Sequence, residues 1–232
     1  MSIDEAAFLG RYSHVSSQAI CETLAPHLVE GRRERIDAVI RARIAGLTLL
    51  IENLHDPHNG AAVLRSAEAF GLQSVHVVEA AERFRFSSDV SQGCEKWLDV
   101  SRYPTFDQAT AALHAKGFAL YAAVPGASVT LDDLDFTRPA AVVVGNEHSG
   151  LTAGAIASCD QTFSIPMDGM TQSLNLSVAS AVVLSHAVRK RRASLAEGRS
   201  DFDQSAQEAL RARFYALSVR RAEQILARRH AR

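Results

Sequence analysis

The spacing of apolar residues changes from a helical to a strand-like pattern at Gly46, and the two patterns then alternate along the chain. Before Gly46, apolar residues recur every three or four positions, which predicts helices that lie largely at the surface. After it, short apolar runs bounded by turn residues predict buried strands over 47–53, 74–80, 118–124, 140–145 and 162–166. Helical spacing predicts helices over 60–70, 106–117, 175–192 and 200–232, and a short helix between the last two strands.

Strands that alternate with helices are typical of an α/β fold, in which helices cover both faces of a mainly parallel sheet. We therefore divide the 232 residues into an N-terminal helical extension (1–46), a central α/β domain (47–192) and a C-terminal helical extension (193–232). Ligands of open α/β sheets bind at the carboxyl ends of the strands, so the loops there are the first candidates for a site.

The charge distribution changes how the near-neutral composition is interpreted. A net charge of −1 is unlike the basic footprint of most nucleic-acid-binding domains. However, residues 189–232 contain 12 basic and 5 acidic side chains, whereas residues 1–188 contain 13 and 21. Arginines also cluster within 32–43. The total charge is therefore no argument against an RNA partner.

The sequence argues against disulfide-linked, secreted and membrane-spanning proteins. The three cysteines form no CxxC pair and suit a reducing compartment. The acidic N-terminus lacks the basic and apolar regions of a signal peptide, and no apolar run approaches the ~18 residues of a membrane span. We therefore expect a cytoplasmic protein that has no membrane partner.

The first candidate loop, NLHDPHNGAAVLRS, follows the first predicted strand and opens a helix. It lacks the G-x-G-x-x-G pattern of dinucleotide-binding folds. Asn59 is the candidate N-cap of the helix, and Arg65 follows six residues later; the alternative is that Arg65 is only a solvated charge. Although His55, Asp56 and His58 are metal-ligand types, no further ligand accompanies them, so we predict no metal site.

Two further loops combine glycines with polar side chains. In VVVGNEHSGLT, Gly145 ends an apolar strand, and Glu147 is placed to bind a donor or cation, or simply to favour a helix N-terminus. In SIPMDGMTQSLNLSVASA, Ser173 and Asn175 precede a long helix, where they either orient a polar substrate or cap the helix.

Together, these three loops resemble the SpoU (TrmH) branch of the SPOUT RNA methyltransferases over residues 32–195. Asn59 and Arg65 match the first motif of that family, and Gly145-Asn146-Glu147 with Gly150 matches the second. The third is matched by Ile165-Pro166-Met167, Gly169 and Ser173-Leu174-Asn175. The likeness is strongest to the TrmH type, the tRNA (guanosine-2′-O)-methyltransferases, and includes HDPHN and GCEKW (93–97).

The resemblance implies a SPOUT fold, whose C-terminal part is threaded into a deep trefoil knot, and an obligate homodimer. It also implies that S-adenosylmethionine binds in the knot and leaves as S-adenosylhomocysteine, held mainly by the backbone of three loops. The residues that would hold it are Ala123, Gly145, Ile165, Met167 and Leu174. A ribose 2′-oxygen of tRNA, by resemblance that of guanosine 18 in the D-loop, would attack the methyl group.

The catalytic set that the resemblance implies is Arg65, Asn59, Glu147, Ser173 and Asn175. An arginine is a poor base, so we expect Arg65 to bind phosphate and to stabilise the developing alkoxide. Asn59 would orient Arg65 or the ribose. Glu147 would shape the ribose and guanine pocket with Ser173 and Asn175, and would also support Arg65.

Contacts to tRNA require basic side chains, since phosphate contacts dominate affinity for nucleic acids. For each candidate the alternative is a solvated helix face. The candidates are Arg32, Arg33, Arg35, Arg189, Arg191 and Arg192.

Two alternative functions are compatible with the same fold: 2′-O-methylation of a ribosomal RNA loop, and RNA binding without catalysis.

Overall fold

The structure is a computed structural model that describes residues 14–79, 91, 93–195 and 200–230. The described residues form two compact units. One is continuous and spans 44–201, whereas the other combines 14–43 with 202–230. The two terminal extensions, which the sequence analysis separated, therefore belong to one unit, and the α/β unit extends beyond residue 192.

Within the described residues, the α/β unit contains one six-stranded sheet, in which every pair of neighbouring strands is parallel. Its strand order is β3-β2-β1-β5-β4-β6. The strands are β1 (Leu47–Glu52), β2 (Ser74–Val78), β3 (Asp99–Tyr103), β4 (Ala119–Ala123), β5 (Ala140–Val144) and β6 (Gln161–Phe163). The predicted parallel α/β fold is confirmed, while the implied knot stays a prediction.

The central strands form because they are apolar throughout. Every residue of β1 and of β5 is buried, as expected for strands covered on both faces. The edge strand β3 was not predicted, because its sequence, DVSRY, is polar and only partly buried. The prediction for the last strand was too long: β6 ends at Phe163, after which the Ser164 amide bonds to the carbonyl of Val129 (2.9 Å).

Helices cover both faces of the sheet. On one face, α3 (Pro57–Phe70) and α6 (Leu176–Ser194) pack against each other and share a core with alternate strand residues such as Leu49 and Val142. On the other face, α4 (Phe106–His114) covers Leu50 and Val143. The short α5 (Ala153–Ala157) connects β5 to β6.

The second unit is helical and is built from both ends of the chain. Its helices are α1 (Ser17–Leu24), α2 (Glu30–Ala42), α7 (Gln204–Ser218) and α8 (Ala222–His230). Helix α7 packs on α1 and α2, and an Arg211–Asp37 ion pair (2.7 Å) joins α7 to α2. The predicted single helix over 200–232 is wrong, because the backbone breaks before Ala222, and Arg221 has a φ of 60°.

A buried ion pair closes the α/β unit at the end of α6. The Arg191 guanidinium donates to Asp201 (2.6 Å) and to the Thr137 carbonyl (2.6 Å), while the Gly46 amide donates to Asp201 (2.7 Å). Burial would raise the pKa of Asp201, but these hydrogen bonds outweigh it and lower the pKa below its usual value. A Cβ at Gly46 would overlap the guanidinium, so the position requires glycine.

The buried His76 makes the stability of this unit dependent on pH. Its ring stacks on Tyr103 (centroids 5.7 Å apart), and its Nδ1 lies 3.1 Å from the Tyr103 hydroxyl. Burial, followed by the charge of Lys116, lowers the pKa of His76 from 6.5 to about 4. Between these values the unfolded chain binds a proton that the folded chain does not. Stability is therefore complete above pH 6.5 and is lost as the pH falls toward 4.

We expect the free energy of unfolding to fall by about 2 kcal/mol more in the wild type than in His76→Phe between pH 7 and pH 5. Phenylalanine keeps the stacked ring on Tyr103 but does not titrate. Urea unfolding of both proteins at the two pH values measures the difference. An equal decline in the two proteins would contradict the assignment to His76.

Candidate active site

The candidate site lies where parallel strands end beside one another. Strand β1 pairs with β5 in a register that places Ile51 opposite Val144. The β1–α3 loop therefore meets the β5–α5 loop at the carboxyl edge of the sheet. The ends of β4 and β6 lie at the same edge, because β4 pairs with both β5 and β6.

The β1–α3 loop ends in a helix cap that differs from the prediction. Asp56, not Asn59, is the N-cap of α3, since its side chain accepts a hydrogen bond from the His58 amide (2.8 Å). Pro57 occupies the first helical position, where its missing N–H costs nothing. The Asp-Pro pair is a sequence signal for this start. Because Asp56 caps the helix, the Asn59 side chain in the first turn is available for other contacts.

Three predicted residues from three separate motifs form one hydrogen-bonded network. Asn59 Nδ2 donates to Glu147 Oε1 (3.1 Å), and Asn175 Nδ2 donates to Asn59 Oδ1 (3.2 Å). The Asp56 amide lies 3.4 Å from the same Glu147 oxygen. Asn175 also caps α6 through the Ser177 amide (2.8 Å), which is one of the two alternatives that the sequence left open for it. We call this the Asn59–Glu147–Asn175 network.

One acceptor of this network is unused. Glu147 Oε2 is buried, and it has no hydrogen-bond partner within the described residues. A buried oxygen left without a donor costs about 1–3 kcal/mol, so such an atom in a native site calls for an explanation. Its place beside two oriented amides suits a hydroxyl or amino group of a ligand.

The loop that carries Glu147 is closed on itself. Asn146 and Gly150 exchange two backbone hydrogen bonds (3.3 and 3.1 Å), and Asn146 Oδ1 accepts from the amides of His148 (2.9 Å) and Ser149 (2.8 Å). A Cβ on Gly145 would overlap the backbone of Gly150, so this close approach requires glycine. The loop therefore presents Glu147 from a fixed turn.

A second carboxylate, which the sequence analysis did not single out, fixes the other end of the same loop. Glu52, the last residue of β1, is only 4% exposed. Its two oxygens accept hydrogen bonds from the Thr152 amide (2.8 Å) and hydroxyl (2.7 Å). The Thr152 hydroxyl also accepts from Ala155 as the N-cap of α5. The only sequence signal was an acidic residue at the end of an apolar run.

Arg65 lies apart from the network within one chain. Six residues separate it from Asn59, which places it about 240° further round α3. Its side chain is exposed and makes no hydrogen bond in the described part of the chain. The electrostatic effect of Arg65 on Cys94 is weak: burial raises the pKa of that thiol to about 11, and the Arg65 charge lowers it only slightly. The predicted support of Arg65 by Asn59 or Glu147 is not seen.

The predicted RNA contacts differ in how accessible they are. Arg33 is half-buried. The exposed ones are Arg32, Arg35, Arg189 and Arg192. The prediction for Arg191 is wrong, because the ion pair with Asp201 and the bond to Thr137 bury its guanidinium. Exposed arginines that the prediction omitted lie between α7 and α8 and on α8: Arg220, Arg221, Arg228 and Arg229.

The described residues provide neither a metal site nor a membrane span. No group of three or more His, Cys, Asp or Glu side chains able to hold a metal ion occurs among the described residues, the HDPHN loop included. None of the described helices is long and apolar enough to cross a bilayer.

Comparison with known proteins assigns the family. The SpoU rRNA methylase family matches residues 46–185, which include all three motifs. The chain belongs to this family. A tRNA (guanosine(18)-2′-O)-methyltransferase of Thermus thermophilus is 40% identical over 163 residues, covering 70% of this chain and 84% of the relative.

Solved structures of SpoU methyltransferases agree with the assignment. The A. aeolicus TrmH/SpoU tRNA modifying enzyme superposes with a TM-score of 0.74 at 28% identity, covering 82% of this chain and 98% of that one. AviRb, a SpoU methyltransferase from Streptomyces viridochromogenes solved with AdoMet, has a TM-score of 0.58 at 28% identity, covering 65% and 59%. The methyl donor of this SpoU protein is accordingly S-adenosylmethionine.

The residues at the strand ends fit that cofactor. Ala123 ends β4, Gly145 follows β5 and Ile165 follows β6, so the three stand side by side. Ala123 and Ile165 pack against the core, which leaves backbone groups as the polar surface there. Met167 is 37% exposed, Leu174 is half-buried and Ser173 is exposed, all in the segment before α6. Backbone groups and apolar side chains suit an adenosine moiety.

We expect Thr152→Val to weaken S-adenosylhomocysteine binding about tenfold, because it removes the hydroxyl that donates to buried Glu52 and accepts from the Ala155 amide, which loosens the loop that begins at Gly145. Thr152→Ser retains the hydroxyl and serves as the matched control. Isothermal titration calorimetry measures the affinity, and thermal unfolding confirms that both variants fold. Wild-type affinity in Thr152→Val would contradict a positioning role for the Glu52–Thr152 contact.

Proposed function

We propose that this SpoU methylase transfers the methyl group of S-adenosylmethionine to the ribose 2′-hydroxyl of a tRNA guanosine, that of position 18. The observation that carries the proposal is the Asn59–Glu147–Asn175 network, which joins the three family motifs around one unpaired carboxylate oxygen. The relatives support the substrate, since that of T. thermophilus is named for guanosine 18 and the matched 163 residues span most of its length.

Each side chain of the site has a separate role in the proposed reaction. S-adenosylmethionine supplies an electrophilic methyl group when it is bound. Glu147 Oε2 is placed to accept a hydrogen bond from a ribose hydroxyl, while Asn59 and Asn175 hold the carboxylate in position. Arg65 is exposed, so it is available to bind a substrate phosphate bidentately and to stabilise negative charge that develops on the 2′-oxygen. Ser173 is exposed in the segment before α6 and is available to the ribose.

The helical unit supplies the basic surface that an RNA partner needs. Arg32 and Arg35 are exposed on α2, and Arg228 and Arg229 are exposed on the last turn of α8. Phosphate contacts of this kind contribute affinity that weakens as salt rises, without reading sequence. We assign tRNA binding to this unit and to Arg189 and Arg192 of α6.

A second copy of the chain is the proposed partner of the outer face of α6. Val178 and Val182, one turn apart, are 49% and 40% exposed, and Met170 just before the helix is fully exposed. A cavity of about 480 Å³, lined in part by Leu131, Ile165 and Val182, adjoins this face. Contiguous exposed apolar residues of this kind mark interfaces, and the family resemblance implies a homodimer.

The function is tested by incubating the protein with methyl-labelled S-adenosylmethionine and unmodified tRNA transcripts, followed by nuclease mapping. We expect one 2′-O-methylguanosine, at position 18. Label on a base would refute the ribose chemistry, whereas label on the ribose of a ribosomal RNA fragment but not on tRNA would refute the substrate. Binding of tRNA without any transfer would leave a binding protein on the same fold.

The variant that tests the catalytic role of Arg65 in that assay is Arg65→Ala. We expect methyl transfer to fall by at least a hundredfold, the scale on which the loss of one preorganised electrostatic contact slows catalysis. Binding of tRNA should persist in a filter assay, because many other basic residues contribute. Near-wild-type turnover in this variant would remove Arg65 from the mechanism.

We expect the protein to sediment as a dimer, at about twice its 25.1 kDa, and Val182→Glu to sediment as a monomer. A charge placed on the outer face of α6 would be desolvated on association. Val29→Glu is the control, since Val29 is an equally apolar residue, is 77% exposed and belongs to the helical unit rather than to α6. A monomeric wild type, or a dimer that tolerates glutamate at position 182, would count against the interface.

A further inference from the structure

Two imidazole rings at the rim of the site take no part in the proposed methyl transfer. His55 lies in the β1–α3 loop and His148 in the β5–α5 loop, and both side chains are exposed. Their ring centroids are 5.9 Å apart at an interplanar angle of 72°, an edge-to-face arrangement. We call them the His55–His148 pair.

The backbone on each side of the pair is fixed. The His148 amide donates to Asn146 Oδ1 (2.9 Å) inside the closed loop. His55 directly precedes Asp56, whose amide lies 3.4 Å from Glu147 Oε1. His148 in turn directly follows Glu147. The backbone at both rings is therefore held by the same contacts that hold Glu147, the carboxylate that we assign to the ribose.

Ordinary structural roles do not account for the pair. Neither imidazole makes a hydrogen bond or an ion pair within the described residues, and neither belongs to a group of metal-ligand side chains there. Both rings are exposed, so they contribute little to the core. The edge-to-face arrangement covers only one ring face, which leaves flat aromatic surface open to solvent beside the site.

A base of the RNA substrate is a suitable ligand for these exposed ring faces. A nucleotide in an RNA loop must be splayed out of its stack before an enzyme can reach its ribose, and histidine is among the side chains on which splayed bases stack. A ribose that donates its hydroxyl to Glu147 Oε2 carries its base within reach of the neighbouring rings.

We propose that the His55–His148 pair is the stacking platform for the base of the methylated nucleotide. The proposal rests on the proposed function, because it requires a ribose at Glu147. The pair binds through its ring faces, so it contributes to substrate binding and orientation and not to proton transfer.

The experiment compares alanine and phenylalanine variants of both histidines, since phenylalanine keeps a stacking face and cannot carry a proton. The control is His114→Ala: His114 is exposed at the end of α4, which leads into the start of β4, at the opposite edge of the sheet. The substrate is tRNA with 2-aminopurine at the mapped target nucleotide. Its fluorescence is read on binding with S-adenosylhomocysteine present, and methyl transfer to unmodified tRNA is read separately.

Wild type and His114→Ala should change the 2-aminopurine fluorescence on binding, and His55→Ala and His148→Ala should lose most of that change. Each alanine variant should raise KM for tRNA about fivefold to a hundredfold, the range found when base-stacking aromatics are truncated. Affinity for S-adenosylhomocysteine and the melting temperature should stay unchanged. His55→Phe and His148→Phe should restore both the fluorescence change and KM.

Two results would overturn the proposal. One is wild-type behaviour of both alanine variants. The other is a loss of kcat at saturating tRNA that phenylalanine fails to restore, which would assign the imidazoles to proton transfer. The proposed function fails separately, by absence of ribose methylation in the wild type. In that case the platform falls with it, whereas ribose methylation in the wild type together with unaffected alanine variants would overturn the platform alone.

Discussion

The parallel pairing of β1 with β5 is the constraint on which the site depends. Both strands are buried throughout, so a register shift would expose apolar residues, and the observed register places Ile51 opposite Val144. The chain positions that follow are thereby brought face to face. Three contacts between the β1–α3 and β5–α5 loops result: Glu52 with Thr152, Asn59 with Glu147, and His55 with His148. Hydrophobic burial in the sheet thus sets the geometry of polar groups at its edge.

Much of the fold was predictable because the inner strands are apolar without interruption, a pattern that strand burial on both faces produces. Strand β3 escaped prediction because an edge strand needs no such pattern. The break between α7 and α8 has no glycine or proline signal, since Arg221 itself adopts a positive φ. The joining of both chain ends in one unit depends on contacts such as Asp37 with Arg211, 174 residues apart, which local periodicity does not encode.

The site was predictable to the extent that strand order brings loops together. Asn59, Glu147 and Asn175 were expected at one edge and are hydrogen-bonded there. Arg191 was misassigned because a run of basic residues at a helix end has the same spacing whether the side chains face water or a buried carboxylate. Only the fold shows that Asp201 lies beneath Arg191, and that Gly46 leaves room for the guanidinium.

The two carboxylates at the edge of the sheet differ in how many of their oxygens accept hydrogen bonds within the described residues. Glu52 has donors on both oxygens, so it is satisfied and its effect is to hold the loop. Glu147 accepts from Asn59 on Oε1 alone, at the end of a series of bonds in which the Ser177 amide donates to Asn175 and Asn175 donates to Asn59. Each amide is thereby fixed in one orientation. Oε2 is left without a donor among the described residues, and under the proposed function a hydroxyl of the substrate would recover the stability lost by burying that atom unpaired.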